Sequence, residues 1–287
     1  MIRSQHALVS CIMPTHGRPQ FALQSAQYFL RQDYPERELL ILDDGRDDIS
    51  SLLPRDSRIR YLRLPRLSIG AKRNLGCRLA AGEIIAQWDD DDWYGPGRLT
   101  TQVRPLLEGR AEVSGIKGNL VFDLVSWQAW SCTPHLHRRM YRHDVHGGTL
   151  VFFRWCWDEL ACYPDRSLAE DARFLSCLVR AGARLERIED ECLFIYIRHR
   201  SNTWSFRCGR FRNPRGWLSA GSVPWPDEDR AFYLARAAAL TASRPGRVWA
   251  GPAFLRRAVS QVLAADLGPG WDSAHRAARA QTTCVVK

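Results

Sequence analysis

The sequence predicts an α/β fold: a mostly parallel sheet flanked by helices, with a small helical appendage at its C-terminal end. Two observations carry that expectation. In the first hundred residues short apolar runs alternate with segments of helical spacing, the order expected of parallel strands joined by crossover helices. Three of those runs then end in polar or acidic clusters, Pro14-Thr15, Asp43-Asp44 and Asp89 to Asp92. In open parallel sheets ligands bind beyond the carboxyl ends of the strands, so three separated segments converge on one crevice.

Taken in order, Val9 to Met13 is an apolar strand that Pro14 is expected to end, because proline brings no N–H to a ladder. Phe21 to Leu30 has helical spacing. Leu39 to Leu42 is a second strand running into Asp43-Asp44-Gly45, and Ile59 to Leu64 alternates as a third. Ile69 to Ala81 is a helix stopped by Gly82, and Glu83 to Trp88 is the fourth strand. Val113 to Phe153 is less regular. Beyond it, Ser167-Leu168-Ala169-Glu170 has the form of a capping box, and Phe174, Leu175, Leu178 and Val179 form the apolar face of a helix ending at Gly182. Glu191 to Ile197 reads as a strand and Gly216 to Pro226 as a loop. Asp227 to Ala242 and Ala253 to Asp266 read as two amphipathic helices. The expected division is therefore a main domain over 1–215 and an appendage over 216–287.

Composition removes several classes of function. With 287 residues, 45% hydrophobic, and 11 Trp, 11 Phe and 8 Tyr, the chain can bury a sizeable core and does not read as disordered. No apolar run reaches the roughly 18 residues that a membrane span needs, and "MIRSQHALVSCIMP" lacks a long apolar core or a cleavage site. A cytoplasmic location follows as the expectation, with peripheral contact at the inner face of the membrane as its variant. The nine cysteines are odd in number and form no CxxC pair, which favours buried thiols over a disulfide or zinc framework. A net charge of +10 carried almost wholly by arginine points to a polyanionic partner: a nucleotide, a nucleic acid or an acidic membrane surface.

The stretch "IIAQWDDDDW" runs a short strand into four consecutive carboxylates, which repel one another unless positive charge lies among them. If the segment stays extended, Asp89 and Asp91 share one side while Asp90 and Asp92 face elsewhere. Two hard oxygen ligands suit Mg²⁺ or Mn²⁺ better than zinc, and the positive charge is then a metal carrying a diphosphate.

These residues also carry a resemblance. "VSCIMPTHGRP", "ELLILDDG", "GAKRNLGCRLAAGEIIAQWDDDDW", "LAEDARFL" and "RHRSNTWS" occur in the order and near the spacing of family 2 glycosyltransferases of the GT-A fold, over roughly residues 7–205. The resemblance implies a nucleotide-sugar donor, a DxD motif holding Mn²⁺ or Mg²⁺, and transfer with inversion. It makes residues 7–110 the nucleotide-sugar-binding half and 111–215 the acceptor-side half. Carried over position by position, Pro14, Asp43, Asp44, Arg73, Asp89 and Asp90 belong to donor binding, with Asp44 at the base or ribose. Asp91 and Asp89 match the DxD pair, and His199 matches a histidine near the diphosphate and joins them on the metal side. Asp171 matches the catalytic base. A UDP-sugar is the expected donor, and a saccharide, lipid-linked or peptide hydroxyl the expected acceptor.

Other signals are open. "HLHRRMYRHDVH" sets His135, His137, His143 and His146 in one segment, which reads either as a second metal site or, better, as a loop lining the acceptor side. Trp93, beside the acidic run, is a candidate for stacking on a sugar. "RHRSNTWSFRCGRFRNPRGW" interleaves arginine with aromatics and reads as a loop closing over a diphosphate or a basic patch on anionic lipid, ahead of single-stranded nucleic acid. A nucleotidyltransferase on a related sheet is the enzymatic rival, but no Gly-rich loop with a phosphate lysine follows the first strand. A non-catalytic nucleotide-sugar or nucleic-acid module is the other.

Overall fold

The structure is a computed structural model that describes residues 7–242 apart from 119, 222 and 224; the helix expected over Ala253 to Asp266 lies outside the described residues. Its first half follows the alternation of the sequence. Strand β1 (Val9–Thr15) is followed by α1 (Pro19–Leu30), β2 (Arg37–Asp43), β3 (Ile59–Arg63), α2 (Ile69–Leu79) and β4 (Ile84–Gln87). Pro19 opens α1 at a position where a missing N–H costs nothing. Ser68 caps α2 by accepting from Ala71 N–H at 3.0 Å.

β1 runs two residues past its expected end, through Pro14 to Thr15. The β1–β4 ladder stops at Ile12 opposite Gln87, so Pro14 is paired on the β2 side alone and its missing N–H breaks no bond with β4. That leaves the end of β1 open toward the acidic turn.

The irregular middle supplies β5 (Trp93–Tyr94), α3 (Arg98–Leu107), β6 (Val113–Ile116), β7 (Val121–Asp123), β8 (Gln128–Cys132), the short helix α4 (Pro134–Met140) and β9 (Val151–Phe153). There follow α5 (Glu170–Arg180), β10 (Leu185–Ile188), β11 (Phe194–Arg198), β12 (Trp217–Ser219) and α6 (Asp227–Ala242). The larger sheet has the order β10-β6-β9-β4-β1-β2-β3, and the smaller one β12-β8-β7-β11-β5. Pairing in the larger sheet is parallel except at β9, which lies antiparallel between β4 and β6. Its centre is the core: Val9, Cys11, Leu39, Leu40, Ile41, Ile84, Ile85 and Phe152 are all fully buried. Each such side chain contributes roughly 1.5–3 kcal/mol of burial.

The capping box expected at the start of α5 is not formed. Ala169 leads into the helix in the left-handed region (φ 58°) with no side-chain cap, and the Ser167 hydroxyl instead accepts from Ile69 N–H at 3.2 Å. That tertiary bond ties the approach to α5 to the start of α2. All eight cysteines among the described residues are free thiols.

By compactness the chain divides into two units, Met1–Asp123 with Ala129–Pro224, and Leu124–Gln128 with Trp225–Lys287. In the second unit Trp225 stacks on Tyr233 at 4.9 Å and meets Trp127 at 6.4 Å. Asp227, Glu228 and Asp229 fill the first turn of α6, where the helix dipole favours negative charge. No helix among the described residues is long and apolar enough to cross a membrane.

Candidate active site

A cleft of about 880 Å³ opens beyond the carboxyl ends of β1 and β4, and its wall continues onto α4, α5 and the segment after β11. Pro14, Arg73, Asp89, Asp90, Asp91 and Asp171 line it, so six of the residues expected at the site converge there.

The acidic run does not stay extended. β4 ends at Gln87 and the backbone bends through Asp90 to Asp92 before β5. The bend is braced from below: the Tyr94 hydroxyl accepts from Asp89 N–H at 2.8 Å, and Trp88 Nε1 donates to Ser25 Oγ at 2.9 Å. Fully buried Arg98 lies 4.8 Å from the Trp88 ring centre and 4.3 Å from that of Tyr94, and donates to Gln87 O at 2.6 Å. Bending removes the expected alternation. Asp90, expected to face away, joins Asp91 on one guanidinium, that of Arg18. Asp89 turns separately to Arg73, 2.7 Å from Nη2. Asp92 faces the interior and accepts from Ile197 N–H at 2.9 Å.

Positive charge therefore does sit among the four carboxylates, and it comes from Arg18 and Arg73. Arg18 was not singled out from the sequence, although "PTHGRP" places it just past the end of β1. Burial acts to raise Asp91, but Arg18 and His199 outweigh it and hold the carboxyl below its usual range. Burial pushes Asp90 up to about 7 against the pull of Arg18, and Asp91 adds to the rise. His199 Nε2 lies 2.9 Å from Asp91 Oδ2, and Asn202 Nδ2 reaches the same oxygen at 3.2 Å. His199 itself is buried, stacked on Phe21 at 4.6 Å, with Nδ1 2.9 Å from Ser201 Oγ.

Asp43 and Asp44, expected at the base or ribose of the donor, are buried and hydrogen-bonded within the protein. Asp43 accepts from Gly45 N–H at 2.7 Å and from the Tyr61 hydroxyl at 2.8 Å. Asp44 accepts from buried Lys72 at 2.8 Å and from Leu67 N–H at 2.9 Å. Burial opposes ionisation of Asp44, but those bonds outweigh it and its pKa is lowered. Lys72 also donates to Thr15 O at 2.9 Å, so this pair braces the end of β1.

Arg73 carries the link to α5. Its Nε reaches Glu170 Oε1 at 3.3 Å while Nη2 holds Asp89. Burial pushes Glu170 up to about 7, Asp171 adds to the rise, and Arg73 opposes it. Asp171 is raised too, chiefly by burial, with Arg73 opposing. Its Oδ1 accepts from Ala172 N–H at 2.6 Å. Its Oδ2 lies against Gly147, where an added Cβ would come within 2.1 Å. At Gly148 the same atom would fall 2.4 Å from Asp89 Oδ2. These adjacent glycines let the backbone pass close to both carboxylates.

The histidine segment forms part of the wall and holds no cluster of ligands. His137 bonds Asp144 at 2.8 Å and Gly118 O at 3.2 Å, and His143 bonds Ser176 at 3.2 Å. His146 is packed against Tyr141, Phe194 and Tyr196, and burial pushes its pKa down to about 3. Trp93 is core: it is 3% exposed in β5 and meets Tyr28 edge-on. The tryptophan on the cleft is Trp204, held against Tyr141 and Phe206.

Comparison with known proteins agrees with this architecture. The family described as glycosyl transferase family 2 matches residues 10–153. The putative colanic acid biosynthesis glycosyl transferase WcaA of Escherichia coli (strain K12) is 29% identical over 208 residues, 67% of this chain and 73% of that one. The chain spans only 22% of the length of glycosyltransferases of Rickettsia felis and Rickettsia conorii that it also matches. Among solved structures, TarS 1-349 of S. aureus in complex with UDP-GlcNAc is 15% identical with a TM-score of 0.53, covering 89% of this chain and 71% of that one. The mannosyltransferase PcManGT of Pyrobaculum calidifontis, in complex with GDP-Man and Mn²⁺, is 18% identical with a TM-score of 0.54, covering 98% and 82%. The fold is therefore that of GT-A glycosyltransferases, and with half its length matched by the family, this chain is a member of glycosyl transferase family 2.

Proposed function

We propose that this chain transfers a sugar from a UDP-sugar to a hydroxyl of a saccharide, lipid-linked or peptide acceptor, by a single inverting displacement with Asp171 as base. The observation that carries the reading is the chain of contacts from Asp89 through Arg73 to Glu170 and its neighbour Asp171, which ties the acidic turn to the start of α5 in one cleft. Burial raises the pKa of Asp171, which makes its carboxylate a stronger proton acceptor than an ordinary aspartate. It therefore takes the proton of the attacking hydroxyl, while Arg18 supplies fixed positive charge beside the acidic turn where the diphosphate departs.

The residues fit a divalent cation, Mn²⁺ or Mg²⁺, in part. Asp91 Oδ2 and His199 Nε2 stand 2.9 Å apart, an oxygen and a nitrogen that would hold it, with Asp89 as the second carboxylate of the motif. Among the described residues no three His, Cys, Asp or Glu side chains already form a metal-holding group, so the donor diphosphate and water complete the set, as is usual for Mg²⁺. When bound, the cation neutralises charge on the leaving diphosphate. The TarS complex with UDP-GlcNAc and the PcManGT complex with GDP-Man and Mn²⁺ support both donor class and metal.

The test is a nucleotide-sugar screen by thermal shift with and without Mn²⁺, followed by Asp171→Asn. The variant is expected to bind UDP and metal as the wild type does while transfer falls by about 10²–10⁴. A product retaining the donor's anomeric configuration would reject the displacement.

A further inference from the structure

Charge of both signs lines the cleft. Its acids are Asp89, Asp90, Asp91, Glu170 and Asp171, and the two cations that touch them are Arg18 and Arg73. Arg138, Arg139, Arg142, Arg173, Arg180 and Arg212 line it as well. All six are exposed, and none has a carboxylate partner among the described residues. The acids nearby are already engaged: Asp144 with His137 and Lys117, Glu189 with Lys117, and Glu186 with Arg110. Arg173 and Arg180 stand seven residues apart on α5 with Cys177 between them, one stripe along the helix opposite buried Phe174, Leu175 and Leu178. The charge is focused locally: burial first, and then Arg187, Arg142 and Arg180, lower the pKa of His143.

Arginines without carboxylate partners in one cleft repel one another, and the repulsion is relieved when an anion binds. We propose that they form the acceptor subsite and that the acceptor carries a phosphate or diphosphate group seated on Arg138, Arg142 and Arg180. The inference rests on Asp171 being the base. The attacking hydroxyl then lies within hydrogen-bond reach of the start of α5, and the rest of the acceptor extends along that helix. Along the axis of α5 Asp171 and Arg180 are about 13 Å apart at 1.5 Å per residue, with a half turn of the helix between their faces, room for roughly one or two sugar units between the hydroxyl and the anion. Guanidinium forks match phosphate oxygens in pairs, which favours phosphate over an isolated carboxylate. A prenyl diphosphate saccharide and a soluble sugar phosphate share this chemistry.

Calorimetry at a fixed free Mg²⁺ concentration tests it on the full chain, with farnesyl diphosphate, inorganic pyrophosphate and farnesol as probes, each with and without saturating UDP. Farnesyl diphosphate is expected to bind the UDP-loaded protein, with affinity falling tenfold or more in the triple variant Arg138→Gln/Arg142→Gln/Arg180→Gln and UDP affinity within about threefold of wild type. Equal binding of pyrophosphate makes the free anion a sufficient ligand; much tighter binding of farnesyl diphosphate names a prenyl lipid as the source. Farnesol matching farnesyl diphosphate, affinity unchanged in the triple variant, or displacement of UDP by either diphosphate would each overturn the proposal. A protein that ignores UDP yet takes up the diphosphate on these arginines would lose the donor reading and keep the anion subsite.

Discussion

Arg73 Nη2 lies 2.7 Å from Asp89 Oδ1, joining the helix before β4 to the acidic turn after it. The same guanidinium holds Glu170, so one buried cation, 3% exposed, compensates carboxylates of two distant segments. Removing one partner of such a set leaves charge uncompensated in the interior. Arg73→Met is expected to cost about 3–5 kcal/mol in urea unfolding. Adding Glu170→Gln should recover part of that loss, because the residues act as one network. Strict additivity of the two changes would show that the contact carries no coupling.

Gly147 sets the position of Asp171. A methyl group there would stand 2.1 Å from Oδ2, well inside contact distance, and must push the carboxylate aside. Displacing a catalytic group by about 1 Å can cost on the order of 10² in rate. Gly147→Ala should therefore lower kcat by one to two orders of magnitude while UDP affinity, read by calorimetry, stays near wild type. An unchanged kcat would place the base elsewhere, with Glu170 first.

Asp91 receives Arg18, His199 and Asn202 on one oxygen. Asp91→Asn should weaken donor binding at least tenfold and lose the difference between Mn²⁺ and EDTA that the wild type shows. Asp92→Asn, whose carboxyl faces Ile197 N–H inside the protein, should keep donor affinity within about threefold. If EDTA leaves wild-type UDP affinity unchanged, the cation assignment fails.

Glu170 gives a pH signature. Its ordinary value of 4.5 is pushed to about 7, by burial first and Asp171 second, so the folded protein keeps a proton that the unfolded chain has lost. Between about pH 4.5 and 7 the folded state binds more protons, and stability falls as pH rises through that window, then levels off. The shift corresponds to at most about 3 kcal/mol. Urea unfolding in EDTA at pH 5 and pH 8 should show a smaller decline for Glu170→Gln than for wild type. Equal declines would mean that another group controls the window.

The features legible in the sequence follow short-range rules. Alternation of apolar runs and helical segments placed β1 to β4 with α1 and α2, and the polar ends of those strands located the crevice. Local composition also marked the run Asp89 to Asp92, and the family resemblance marked Asp171. The partner of each charge came from the fold. An extended-strand period assigned Asp90 away from Asp91, but Arg18, 72 residues from Asp90 in the chain, draws both together across a bend. The local capping pattern at Ser167 lost to Ile69, 98 residues away, and acids and arginines far apart in the chain line one cleft only once the chain is folded. Periodicity reports which side of an element is apolar, whereas electrostatic pairing depends on distances of a few ångströms between segments that the chain order keeps apart.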